Sequence, residues 1–232
     1  MKRVIGLLCF CLAAAPLAVM VPAAPASAGC GDSPAAGVDW SKCEKRRLIL
    51  RERDLSNGTF LRTDFSRSDL ADARLTGADL TEADFEHARL TGADLSGATL
   101  EKAAGSRADF TEAVLKGANL TKAEMARADF TGADFTGAMM QKAELGRALL
   151  AGAVLDGADL SKAEIARAVF AGASLKGTDL TGAYTYLTHF EATDLSAAKG
   201  LTQQQLEVAC GDDKTVLPEG LTAPATWPCA QE

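Results

Sequence analysis

The 232-residue sequence predicts an all-β solenoid, a chain wound into stacked coils rather than folded around one globular core. Three observations lead there. Large apolar residues return every five positions from Leu55 to Leu195: 27 of those 29 positions are Leu, Phe, Met or Ile, the exceptions being Gly105 and Thr185. The residue two before each is Ala in 22 of the 29, without interruption from Ala73 to Ala173. Aromatic residues make up only 6% of a chain that is 47% hydrophobic, so its core must be built from small and aliphatic side chains.

A period of five suits neither regular element. On a helix, five steps turn the chain by about 500°, which carries the apolar positions around every side. On a strand they would alternate faces. The chain must therefore turn within each unit, with one small and one large side chain inward and the polar residues outward. A longer period is also present. Lys102, Lys122, Lys142 and Lys162 are spaced by 20, as are Arg107, Arg127, Arg147 and Arg167, and Glu124, Glu144 and Glu164 form a third column between them. Phe110, Phe130, Phe170 and Phe190 share an interior column whose gap is filled by Leu150. Four units therefore close one coil.

Units such as Ala78-Asp79-Leu80-Thr81-Glu82 and Ala93-Asp94-Leu95-Ser96-Gly97 resemble the pentapeptide-repeat family, over roughly residues 50–198. The resemblance implies a right-handed quadrilateral β-helix with one unit per side and about seven coils, a rod of ~35 Å at ~4.8 Å per coil. Val38-Asp39-Trp40-Ser41-Lys42-Cys43 and Gly200-Leu201-Thr202-Gln203 are similar to flanking segments of exported bacterial members.

In chain order, residues 1–28 read as a signal peptide. Lys2 and Arg3 precede an apolar run from Val4 to Val21, and Ala26-Ser27-Ala28 is a small-x-small cleavage signal. Pro16 and Pro22 interrupt the run, which argues against a retained membrane span, and Ser27 stands where a lipoprotein carries Leu. The expected location is secreted or periplasmic, and losing Lys2 and Arg3 takes the net charge from −7 to −9. Such a chain is not expected to bind nucleic acid, whose phosphates attract cations.

Residues 29–50 are expected to form an N-terminal cap with Trp40 over the first coil, residues 51–198 the β-helix, and residues 199–232 a C-terminal cap. Thr202 with Gln205 three residues later is a capping box, and Leu201 with Leu206 a hydrophobic staple, for a short helix reaching about Ala209. Pro218, Pro224 and Pro228 favour an extended tail after it. Cys30, Cys43, Cys210 and Cys229 lie two before and two after the repeats. Four cysteines allow three pairings; proximity favours the two local ones, and no Cys-x-x-Cys spacing supports zinc.

Two defects stand out. Gly105 leaves a gap or a bend where a Leu is expected to stabilise, and Tyr184-Thr185-Tyr186-Leu187-Thr188-His189 is expected to pack against the C-terminal cap, with a contact patch for a partner as the alternative. The Lys, Glu and Arg columns predict an ion-pair network along one solvated side. Eight cations against three carboxylates leave that stripe an excess of +5, a candidate seat for an anionic envelope component such as a polysaccharide or lipid headgroup, or for a partner protein.

Catalysis finds no support. His87 and His189 lie far apart in a stack, and no metalloprotease, nucleophile-elbow, phosphate-loop or dinucleotide motif is present. The recurrent Asp residues are spaced one per side, unlike a calcium loop, so no metal or cofactor is expected. The sequence points to an exported, non-enzymatic scaffold or interaction module. The alternative, implied by the resemblance, is a DNA-mimicking gyrase-binding protein of the cytoplasmic type.

Overall fold

The computed structural model describes residues 29–229; the expected signal segment, residues 1–28, lies outside them. Each five-residue unit contributes one bridging residue and a two-residue turn. The bridging residues pair in parallel with partners 20 residues on, in four columns that begin Asp39↔Thr59, Glu44↔Asp64, Ile49↔Asp69 and Asp54↔Arg74. This ladder already includes Asp39, Glu44 and Ile49, within the segment expected as the N-terminal cap.

The backbone accounts for its own polar groups, coil to coil. Around Leu75, its N–H donates to Asp94 O at 2.7 Å, Asp94 N–H donates back to Ala73 O at 3.0 Å, and Gly77 N–H donates to Ser96 O at 2.9 Å. A fourth bond, Ala78 N–H to Leu75 O at 3.0 Å, closes the turn. Repetition of this set satisfies buried amides that the narrow interior could not otherwise hold. Inside, every Ala from Ala73 to Ala173 in the small lane is buried, each beside a large partner except Ala103, which precedes Gly105. The phenylalanines stack along their columns: Phe110 on Phe130 at 4.9 Å, Phe170 on Phe190 at 5.6 Å and Phe65 on Phe85 at 5.5 Å.

Where the small lane carries a hydroxyl instead of Ala, the group turns to the coil above. Thr63, Ser68, Thr178, Thr188 and Thr193 are buried, and each donates to a backbone carbonyl 23 residues earlier, as Thr63 Oγ1 does to Trp40 O at 2.6 Å. A hydroxyl is tolerated in this core because that carbonyl is always within its reach.

Both ends are closed by disulfides, Cys30–Cys43 and Cys210–Cys229, each with Cα atoms 5.4 Å apart. At the first, Trp40 occupies the interior column above Phe60, their rings 5.8 Å apart. Lys45 sits in phase with the large apolar positions, buried, its ammonium 3.7 Å from the Trp40 ring centroid and donating to Cys30 O at 2.6 Å. Burial lowers the Lys45 pKa, and the Asp32 charge works against that. A lysine ends the apolar stack because its stem packs like a leucine while its head reaches the carbonyl and ring of the lid.

At the other end, helix α1 (Gln203–Glu207) begins at Thr202 with the capping box formed on both sides, and Leu206 is fully buried. The helix ends two residues before the expected Ala209. Inserting it shifts the ladder: His189 pairs with Cys210 and Asp194 with Val216, offsets of 21 and 22 in place of 20. Trp227 then folds back to donate its indole N–H to Ala209 O at 2.7 Å, lying so close over Gly211 that no side chain fits there.

On the outer surface the recurrent Asp residues act as turn acceptors. Asp54 Oδ1 receives the Ser56 N–H at 3.1 Å and its hydroxyl at 2.6 Å, and Asp39 with Ser41 and Asp194 with Ser196 repeat the contact. The serine donors hold all three carboxyls below the usual aspartate range. At Asp134 partial burial pushes upward but is outweighed by Thr136 and Lys116. A carboxyl whose folded pKa lies below its unfolded value near about 3.9 stabilises the fold fully above that value and ceases to as pH falls through the folded one. The melting temperature should be flat from about pH 7 to 5 and fall below about pH 4. A melting temperature that dropped already between those upper values would show that other groups control acid stability.

Candidate interaction face

Each corner of the coil is a two-residue turn whose second residue has a positive φ, a conformation that glycine adopts freely and other residues adopt at a cost. From Gly92 onward the four corners are not used alike. Two carry glycine, as in Gly132, Gly137, Gly152, Gly157, Gly172 and Gly177, with Glu112 the exception before Gly182. The other two carry Lys102, Lys122, Lys142 and Lys162, and Arg107, Arg127, Arg147 and Arg167, with φ between 56° and 60°. A side chain in that region costs on the order of 1 kcal/mol relative to an unstrained residue.

The two cationic corners flank one side of the rod, with Glu124, Glu144 and Glu164 paired in the bridging column between them. Small residues, Ala126, Gly146 and Ala166, stand next to the Arg corner. Between residues 101 and 175 every Lys and Arg except Lys116 lies on these corners, and Lys116 is paired with Asp134 at 3.0 Å on another side. Carboxylates Asp109, Asp129, Asp134 and Asp159 occupy the remaining sides, so in these coils the cations gather on one side while carboxylates, Glu124, Glu144 and Glu164 among them, occur on all four.

The expected ion-pair network is formed only in part along this face, where Arg62, Glu82 and Lys102 are linked at its N-terminal end. Among the described residues, Lys122, Lys142, Lys162, Arg107, Arg127 and Arg147 have no carboxylate within 4.0 Å. Lys102 alone of the lysine column has partners, Glu82 at 4.0 Å and Glu101 at 3.9 Å. The N-terminal part of the same side differs: Arg46, Arg47, Arg67, Asp64, Asp84 and Glu86 line a shallow depression, and Arg46 is bonded to Asp64 at 2.5 Å. Its cations are partly spent on neighbours, whereas Lys122, Lys142, Lys162, Arg107, Arg127 and Arg147 below it are exposed.

The repeats themselves match a known sequence pattern. The model of pentapeptide repeats accounts for eight copies in residues 50–86, 68–104, 108–147 and 143–182, together more than half of the chain. The chain belongs to the pentapeptide-repeat family. Among solved pentapeptide-repeat structures, it is similar to HetL of the cyanobacterium Nostoc sp. strain PCC 7120, a protein involved in heterocyst differentiation regulation: 24% identity, 81% of this chain and 86% of that one covered, TM-score 0.40. It is similar also to QnrB1, a plasmid-mediated fluoroquinolone resistance protein, at 21% identity, 75% and 91% coverage and TM-score 0.41. A pentapeptide-repeat protein of the Arabidopsis thaliana thylakoid lumen shares 34% identity over 51% of this chain and 69% of its own, TM-score 0.36. No curated protein matches significantly.

Within this pentapeptide-repeat frame the tyrosine segment departs from expectation. Thr185 and Thr188 turn inward, Thr185 Oγ1 donating to Gln205 O at 2.7 Å, but Tyr184 and Tyr186 do not pack under the cap. They are 57% and 43% exposed and stack on each other with ring centroids 6.3 Å apart and planes 14° from parallel. Tyr184 follows Glu164 in its bridging column, so the pair stands at the C-terminal end of the cationic face. Alternation decides this: the residues before and after the central Thr185 point outward in every unit. His189 Nδ1 lies 2.9 Å from Glu191, on the next side of the coil. No group of three His, Cys, Asp or Glu able to hold a metal occurs among the described residues, and no described helix is long and apolar enough to cross a membrane.

Proposed function

We propose that this pentapeptide-repeat protein is an exported, non-catalytic scaffold, a right-handed quadrilateral β-helix of about seven coils whose sides present charge to a partner outside the cytoplasm. The observation that carries the reading is the pair of disulfides, one at each end of the stack. Disulfides of this kind persist in oxidising compartments and not under cytosolic thiol buffering. They close the two places where a stacked coil would otherwise offer an open edge to other chains. The signal-like segment ahead of Gly29 agrees with that compartment. The same ends argue against a cytoplasmic DNA mimic, as do the cationic corners, since a duplex surrogate needs acidic surfaces throughout. Terminal sequencing of the protein from cell fractions should find Gly29 as the first residue, in the periplasm or medium. Uncleaved chain in the cytoplasm that inhibits supercoiling would restore the DNA-mimic reading.

A further inference from the structure

We infer that the side bounded by the Lys102–Lys162 and Arg107–Arg167 columns, together with the Tyr184–Tyr186 platform, is a binding lane for a linear acidic polysaccharide. This rests on the exported-scaffold reading and names the partner of that scaffold's charged side.

The first argument is the backbone. At a turn position where glycine is free of strain, and where the two opposite corners of the same coils use it everywhere but at Glu112, this side keeps lysine and arginine at φ near +60°. A residue that served only solubility could stand on any of the unstrained outward positions. These cations also do not compensate one another's surroundings, because six of the eight have no carboxylate within 4.0 Å among the described residues. A set of solvent-facing cations, held at a cost and concentrated on one side of an acidic protein, has the complementarity of a site for an anion.

The second argument is shape. The columns advance ~4.8 Å per coil. That rise lies close to the residue repeat of an extended 1,4-linked sugar chain, so anionic groups carried at regular intervals could meet successive lysines and arginines. Arginine forks match carboxylates in two bonds at once. The third is the platform. Two exposed, nearly parallel tyrosine rings lie at the end of the lane, and a flat pair of that kind offers its faces to the apolar face of a sugar ring. A lipid surface would demand contact over a broad plane, and the sides next to this one carry Asp109, Asp129 and Asp159, which an anionic bilayer repels.

The test uses the processed full chain, titrated with polygalacturonate, an uncharged dextran, single-stranded oligonucleotide and phosphatidylglycerol vesicles. Binding to polygalacturonate that weakens with added salt is expected, with none to dextran and weaker binding to the other two. Lys122→Gly combined with Lys142→Gly should lower the affinity at least about tenfold. It should leave the melting temperature unchanged or higher, because the glycines relieve the turns; a merely structural role would lower it. Tyr184→Ala with Tyr186→Ala should weaken polysaccharide binding while leaving any residual oligonucleotide binding as it was. The proposal is overturned by absent polygalacturonate binding, by equal or tighter binding to vesicles or oligonucleotide, or by glycine variants that bind normally. The N-terminus of the same preparation reports separately on export, so a failed lane and a failed compartment give different results.

Discussion

Phe130→Ala is expected to remove about 3–5 kcal/mol of stability, the range for deleting a fully buried phenylalanine from a close-packed core. Phe130 has no exposed surface, stacks on Phe110 at 4.9 Å and meets Phe135 edge-on at 5.1 Å. The interior is a narrow tube in which each large residue touches only its own coil and the coils on either side, so no distant side chain can move in to fill the space. The backbone around the site is also fixed, because Phe130 N–H donates to Leu149 O at 2.7 Å while Asp129 N–H donates to Ala108 O at 3.0 Å. Against a typical total of about 5–15 kcal/mol, such a loss would bring the domain near its unfolding threshold. In a quasi-one-dimensional stack the damage should be local first. Amide exchange should accelerate in residues around 108–152 before it does near either disulfide. Urea denaturation measures the total, and a loss below about 1 kcal/mol would mean that the neighbouring coils collapse into the void.

The interior of this protein was legible because its two periods are written directly in the residues: Ala with Leu or Phe every five, and aligned columns every 20. The capping box at Thr202 and the local disulfide pairs were legible for the same reason, since each depends on residues close in the chain. Lys45 was missed although Trp40, Lys45 and Leu50 continue the phase of Leu55, because a charged residue breaks an apolar count. What places it inside is a carbonyl 15 residues away and an indole ring, neither of which periodicity encodes. The shift to offsets of 21 and 22 near Cys210 and Val216 was hidden likewise, being set by how a helix inserts into a coil. On the surface, columns of Lys, Glu and Arg suggested pairing, but spacing along a chain does not fix where long side chains extend. The same columns read differently once the positive φ of their turns is known.

Gly105→Leu is expected to destabilise the protein by about 1–3 kcal/mol, the cost of overpacking, although sequence spacing alone favours a leucine there. The position does not hold an empty cavity. A Cβ added to Gly105 would overlap the Met125 sulfur, and would lie 3.3 Å from Met125 Cε and 3.5 Å from Phe110 Cε2. Met125 stands one coil below in the same interior column, and its unbranched, polarisable side chain rises into the room that a leucine would use. Gly105 is not among the positive-φ residues, so the backbone does not require glycine; the neighbouring side chain does. Met125→Ala should therefore cost about 2–5 kcal/mol alone, because it empties two layers of the column rather than one. The double variant, Gly105→Leu with Met125→Ala, should be more stable than the sum of the single losses, with a coupling of about 0.5–3 kcal/mol as the new leucine takes over the methionine's volume. A double-mutant cycle by chemical denaturation measures that coupling. Additive losses would show that the two coils do not share this space, and a stabilised Gly105→Leu would show that Met125 can withdraw from it without cost.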